Sequence, residues 1–498
     1  MDEEREHPAV PDRPDDSQAT RIGVDTWVAE ADERRAERRG VFGLFTRAWE
    51  GTSDWAKLLG FAVIAVSFPF WPSIAGNEGR LFTYGFYTLL FAMLGLGLNV
   101  VVGFAGLLDL GYVAFYGVGG YAYALLASSH YDIHLPSELA LPIVMVGTAL
   151  IGLVLGFSSR RLLGDYLAIV TLFFLQAFYA FTQVANPKVA GKGLTGGANG
   201  IPDVDTLNFF GYQLNSTKQF YFFMLMVFVL GAAAIYLINH SRTGRAWRAL
   251  REDPLAAEVL SIPVNRLKIL AFVFGAGIAG LCGAIFTANE TAAAAGNFTV
   301  SVLITIYVIV ILGGLGSIAG VLIGAVVVNV TFQFLTPSSP DAWLTSWLFY
   351  GTILLAVALM KPWYRAAIVL VGTAAFGFAA HAIVHNFADP SWTAGKSETG
   401  GWLGQHITGW VIIPQGHPSI NTWLYCGLVV AVIALSQLKG WARTIGLIPV
   451  LYLTAMVWEI LLVKNPAVTA LILFGVMLIA LMTRRPQGLL GTARVEIV

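Results

Sequence analysis

Apolar runs near the roughly 20 residues that cross a bilayer recur along almost the whole chain, separated by short polar stretches. They fall at 58–75, 81–99, 107–128, 139–157, 166–184, 219–238, 267–288, 300–313, 316–332, 344–360, 366–384, 422–438, 441–463 and 467–482. Several fall short of a full crossing, which predicts broken or re-entrant helices among complete ones. The pattern as a whole predicts an all-α polytopic membrane protein with about 12–14 apolar spans. Composition points the same way. The chain is 56% hydrophobic and 12% charged, with a mean hydropathy of +0.70, whereas a soluble domain is about 25% charged.

The charge is unevenly placed. Residues 1–57 hold 14 acids and nine bases of the chain's 30 and 30, and read as a polar tail in which VAEADERRAERRG forms a surface helix. The tail lacks the basic and apolar regions of a signal peptide. With the tail placed inside and sides alternated at each run, the inside loops carry 15 lysines and arginines and the outside loops six. The positive-inside rule therefore puts both termini in the cytoplasm. Two outside loops are long: 185–218, containing GKGLTGGANGIPDVD, and 385–421, rich in Trp, Gly and His. Each reads as an irregular connection or a contact surface for an extracytoplasmic partner.

The inside loop SRTGRAWRALREDPLAAEVLSIPVNRLK, 241–268, carries helix signals. Asp253 is suited to cap a helix whose first residue is Pro254. Leu255, Val259 and Ile262 then share a face, with Ala256 beside them, and Pro263 closes the piece. The loop is a connecting helix packed on its own protein, or a ridge that enters a groove on a soluble partner.

GLGLNVVVGFAGLLDLGYVAFYGVGGYAYALL runs from Gly95 to Leu126, and eight of its 32 residues are glycine. That density predicts two helices with a turn near Gly103–Gly106. Asp109 then lies close to the start of the second helix, where free amides favour a carboxylate. Asn99, Asp109, Tyr112 and Tyr116 are the candidate pathway residues. Further on, GAGIAGLCGA spaces Gly275, Ala279 and Gly283 four apart, and GGLGSIAGVLIGA does the same with Gly316, Gly320 and Gly324. Small residues at this spacing let transmembrane helices approach closely. Gly313, Gly314 and Gly316 also offer a break between half-helices.

Intramembrane acids are scarce. Only Asp109 and Glu459 fall clearly inside apolar runs, which argues against a proton-coupled pump with its relay of buried acids. No GxxxxGK[ST], HExxH or GxSxG occurs, so neither a built-in nucleotide motor nor a hydrolase is indicated. Cys282 and Cys426 suggest no disulfide framework. Neither a metal site nor a nucleic-acid partner is expected.

Six stretches, in order, resemble the membrane permease subunits of ATP-binding-cassette importers for branched-chain amino acids, of the LivM type. They are the Gly95–Leu126 segment, GDYLAIVTLFF, LTGGANGIP, SRTGRAWRALREDPLAAEVLSIPVNRLKILAFVFGAGIAGLCGAIF, ILGGLGSIAGVLIGA and the terminal RPQGLLG. The resemblance implies that the 241–268 loop is the coupling helix for an ATPase subunit, with Glu252, Asp253, Leu255, Ala256, Ala257, Glu258 and Val259 as docking residues. It implies a non-catalytic subunit of the cytoplasmic membrane that binds no cofactor itself. Its partners would be a homologous second permease, two ATP-binding subunits that hold Mg-ATP, and an extracytoplasmic solute-binding protein. Branched-chain amino acids lead as cargo, with urea, short amides and aromatic acids as the alternatives. A stand-alone secondary transporter is a further alternative. The family usually has glycine where this chain has Ser261.

FYGTILLAVALMKPWY at 349–364 resembles LFGVMLIALMTRRPQG at 473–488, and the latter better matches the family's ending. The expected organisation is a tail at 1–57, a permease core at 58–343, an additional four-span segment at 344–463 and a final permease helix within 464–498.

Overall fold

A computed structural model describes residues 78–159, 165–185, 187–189, 192–335, 363–387, 390–397, 401–414, 418–438 and 440–462, with isolated positions between 346 and 357. The predicted tail, the first apolar run at 58–75 and the final element at 464–498 lie outside them. The described chain is helical, and its only strands are three two-stranded hairpins. Eight of the described helices are long and apolar enough to cross a membrane, and two more are shorter but apolar. The protein is thus an all-α, multi-pass membrane protein.

Helix α1 (Glu78–Leu98) continues into a π-helical turn, Asn99–Phe104. The widened turn is closed by Ala105 N–H to Val100 C=O, 3.2 Å, and Leu107 N–H to Val101 C=O, 3.0 Å. The chain then reverses at Gly106, whose φ of 72° belongs to the left-handed region that glycine tolerates. Helix α2 (Tyr112–Leu126) follows. Its 15 residues rise only about 22 Å, short of the roughly 30 Å hydrocarbon core. The 107–128 run is therefore an irregular segment followed by a short helix.

Helices α3 (Ser137–Ser159) and α4 (Asp165–Ala180) come next. They are followed by α5 (Thr217–His240), which opens on a capping box of Ser216 and Gln219. Helices α6 (Arg242–Glu252) and α7 (Pro254–Val259) fill the predicted inside loop. Helix α8 (Val264–Glu290) packs against α1, α2 and α3. Helices α9 (Val300–Gly313) and α10 (Ile318–Leu335) form the half-helix pair predicted around GGLGS. Gly314 and Gly316 between them take φ of 117° and 84°.

Small residues set the helix spacing, as the sequence spacing predicts. A methyl on Gly283 would lie 2.0 Å from the Tyr116 carbonyl oxygen, and one on Gly119 2.1 Å from that of Gly280. Gly313 and Gly320 face one another the same way, at 2.2 and 2.3 Å. Backbone therefore meets backbone along α2–α8 and α9–α10, and no side chain fits between.

At the end remote from α6–α7, the loops are pinned rather than irregular. The hairpin of β1 (Ala127–Ser128) and β2 (Ile133–His134) pairs Ala127 with His134, and Ile201 and Ala293 exchange two backbone hydrogen bonds of 2.9 Å. Asp205 N–H donates to Ala127 C=O, 2.8 Å, while the Asp205 carboxylate meets the His134 imidazole at 2.6 Å. That hydrogen bond holds the His134 imidazole above its ordinary range.

Beyond residue 350 the described helices are α11 (Trp363–Phe387), α12 (Gly401–Thr408), α13 (Pro418–Gln437) and α14 (Gly440–Val457), the last ending in a π-helical turn at Trp458–Leu462. Their apolar clusters draw only on residues from 350 to 460. Glu459, one of the two intramembrane acids, is buried in that π turn. It accepts hydrogen bonds from Tyr350 Oη, 3.0 Å, and Ser397 Oγ, 2.7 Å.

Candidate functional site: a helix break tied to a surface helix

Asn99 and Asp109 lie at the break between α1 and α2, with Tyr112 and Tyr116 on the first two turns of α2 that follow it. Asn99 is fully buried, and its Oδ1 accepts from Gly316 N–H at 2.8 Å. The break in one helix is thereby bonded to the break between α9 and α10. Gly103 makes this approach possible, since a methyl there would lie 1.9 Å from Asn99 Oδ1 and 2.7 Å from Gly316 N.

Asp109 is also fully buried. Its Oδ1 accepts from Gly111 N–H at 2.9 Å, and its backbone carbonyl accepts from Tyr307 Oη at 2.7 Å. The carboxylate thus closes a tight turn three residues ahead of α2. The residue at the N-cap position of α2 is Gly111, which supplies no side chain to its first turn. Tyr112 and Tyr116 are buried on successive turns of α2. Tyr116 packs edge-on against Phe298, with centroids 5.1 Å apart, and tilted against Phe286 at 5.5 Å.

Asn99 Nδ2, Asp109 Oδ2 and Tyr112 Oη are buried without a hydrogen-bond partner among the described residues. Buried polar atoms are nearly always paired. Three unpaired ones around a break, in a chain with few intramembrane polar groups, mark a place where water or a polar solute would find partners.

Sequence reasoning did not single out two residues here. Tyr307 was hidden in an unbroken apolar run. Arg251 lies in the last turn of α6, and its Nη1 donates to Gly103 C=O at 2.5 Å. Its only signal was a place in a basic amphipathic stretch, where every arginine looks alike.

Arg251 ties the break to the surface helix. Helix α6 is itself anchored by Trp247, fully buried, whose Nε1 donates to Leu267 C=O of α8 at 3.0 Å. Asp253 then caps α7 as its sequence predicts, accepting from Leu255 N–H at 2.8 Å and Ala256 N–H at 3.1 Å. Glu252, Asp253, Ala256 and Glu258 are exposed. Leu255 is 75% exposed, Val259 85% and Leu260 72%. Two expectations are corrected. Ala257 is buried against its own protein, because it lies on the face of α7 opposite the ridge and so cannot serve as a docking contact. Ile262 is half-buried, and Leu260 takes its place on the exposed ridge.

Ser261 stands at φ 59°, the left-handed region that disfavours any side chain by about 1–2 kcal/mol. Its place in the turn after α7 is one where glycine is at ease. Ser261→Gly is expected to leave stability unchanged or raise it by about 0.5 kcal/mol, after the added unfolded-state entropy of glycine. Ser261→Val, β-branched at positive φ, is expected to cost about 2 kcal/mol. Thermal unfolding of the detergent-solubilised protein separates the two, and equal effects would sink the strain argument.

Close-packed apolar helices, two helix breaks bonded to one another and a capped apolar ridge at one end make a multi-pass membrane protein built on interrupted helices. The family described as branched-chain amino acid transport system, permease component, matches residues 80–358, and the chain belongs to it. Among curated relatives, the high-affinity branched-chain amino acid transport system permease protein LivM of Salmonella typhimurium is 34% identical over 328 residues, covering 61% of this chain and 73% of that protein. The corresponding permease protein LivH of Escherichia coli is 25% identical over 265 residues, covering 48% and 80%. The fructose import permease protein FrcC of Rhizobium meliloti is 27% identical over 205 residues, covering 40% and 55%. No solved structure matches. Among the described residues, no group of three His, Cys, Asp or Glu is placed to hold a metal ion.

Proposed function

We propose that the chain is the non-catalytic permease subunit of an ATP-driven importer of branched-chain amino acids in the cytoplasmic membrane, with α6–α7 facing the cytoplasm. The observation that carries this reading is the continuous link from the exposed ridge of α7 to the helix break. Leu255 and Val259 would seat in a groove of an ATP-hydrolysing subunit. Trp247 fixes α6 to α8, and Arg251 grips the π turn at Gly103. A displacement of α7 is therefore delivered to the segment that holds Asn99 and Asp109.

Two ATP-binding subunits would supply the force, a homologous permease the other half of the pathway, and a solute-binding protein the cargo. Relatives named for LivM and LivH support the paired permease and the amino acid cargo. A relative named for fructose import bears on cargo the other way: the scaffold alone does not set it, so urea, short amides and aromatic acids remain the alternatives. Most of segment 344–463 is an addition to this scaffold, supported by a family match that ends at 358, within the segment's first apolar run, and by apolar clusters drawn, among the described residues, from 350 to 460.

The test is reconstitution. The chain purified alone into vesicles is expected to give no solute flux, and flux is expected to appear only when the second permease, the ATP-binding subunits, the solute-binding protein and ATP are added. Flux through the chain alone would overturn the reading.

A further inference from the structure

Resting on the amino acid cargo proposed above, we infer that Glu290, positioned by Tyr87, is the acceptor for the substrate's ammonium group at the mouth of the pathway remote from α6–α7. Glu290 is the last residue of α8. A carboxylate there faces the negative end of the helix dipole and is disfavoured, so helix stability does not explain it. Among the described residues no lysine, arginine or histidine pairs with it; the ion pairs there involve His134 alone. Its Oε1 instead accepts from Tyr87 Oη and, weakly, from Asn289 Nδ2 at 3.5 Å. The carboxylate is exposed and held in place through its Oε1, while among the described residues no hydrogen bond engages its Oε2.

Its surroundings suit an amino acid. The Tyr87 ring lies 6.5 Å from Phe286, Phe286 5.5 Å from Tyr116, and Phe286 6.1 Å from Phe298. Aromatic faces attract an ammonium and accept branched aliphatic side chains. The same column leads inward, because Tyr116 stands one turn of α2 above Tyr112, whose hydroxyl lacks a partner. Glu290 thus sits where a line of aromatic rings from the helix break reaches the surface. Tyr87 acts as a positioning residue: its hydroxyl fixes the carboxylate without neutralising it.

The experiment uses the complete transporter in proteoliposomes, with uptake of radiolabelled leucine and binding-protein-stimulated ATP hydrolysis measured on equal amounts of assembled complex. Glu290→Gln keeps shape and removes charge, and is expected to lower leucine uptake about twofold to fivefold, as loss of a solvent-exposed charge partner does, while stimulated hydrolysis persists. Glu290→Asp is expected to restore part of that uptake, and Tyr87→Phe to lower it by a smaller factor. Uptake by Glu290→Gln at the wild-type rate overturns the assignment. So does an equal loss in Glu290→Gln and Glu290→Asp, which would mark a purely structural role. A wild-type transporter that takes up no α-amino acid overturns instead the functional reading on which the assignment rests.

Discussion

Leu255→Asp combined with Val259→Asp is expected to abolish uptake while leaving the amount of folded permease in the membrane unchanged. Both side chains stand almost fully in solvent, at 75% and 85% exposed, so the isolated subunit has nothing to lose. On a partner, each buried apolar side chain of this size contributes about 1.5–3 kcal/mol. Losing two, and bringing carboxylates to an apolar groove, weakens docking by roughly a hundredfold or more. Co-purification with the ATP-binding subunit and uptake in vesicles should fall together. Wild-type co-purification by the double variant would place the docking surface elsewhere. The nearby Asp253 is a poorer probe, because removing its cap loosens α7 itself and mixes the two effects.

Gly283→Val is expected to be the most damaging single change in the core. Its first methyl would lie 2.0 Å from the Tyr116 carbonyl oxygen and 2.8 Å from Gly120 N. Both are backbone atoms, which no rotamer change can move. Overpacking ordinarily costs about 1–3 kcal/mol, and against helix backbone that cannot give way the upper end, roughly 3 kcal/mol, applies. The yield of monodisperse protein should collapse. Gly147→Val supplies the control: nothing lies within 4 Å of its added methyl, and no loss of yield is expected. Equal yields of the two variants would remove close α2–α8 packing as an organising contact.

The parts of the fold legible in the sequence were those written in local chemistry. The length of apolar runs marked the spans, Asp253–Pro254 marked the start of α7, and the Gly313–Gly316 cluster marked the gap between α9 and α10. Glycine spacing located the tight contacts but not their partners, since Gly283 gives no hint that Tyr116 lies opposite. The helix break was legible around Gly103–Gly106, whereas its widened π turn was not, because nothing in Asn99–Phe104 distinguishes a π turn from an ordinary helical one. The site was half visible. Asn99 and Asp109 stood out as polar residues in apolar surroundings. Tyr307 reaches Asp109 and Arg251 reaches Gly103 across 198 and 148 residues of sequence, a distance over which no local pattern carries information. The inward turn of Ala257 was hidden for a related reason: which face of a six-residue helix is covered depends on neighbours that the helix does not encode.

The shortness of α2 carries a consequence for how the protein meets its lipid. A span that is too short ordinarily forces the bilayer to thin around it. Helix α2 escapes this because nearly all of its residues are buried among α3, α4, α8 and α9, so no acyl chain meets its ends. Among the helices with apolar side chains turned outward, α3 and α5 have 23 and 24 residues and rise about 35 Å, and α4 reaches a comparable span only with the π turn Phe181–Ala185 that extends it. Bilayer thickness is therefore matched by the perimeter, and the broken centre is insulated from it. Changes in lipid chain length should press on α3 and α5 and leave the geometry around Asn99 and Asp109 undisturbed.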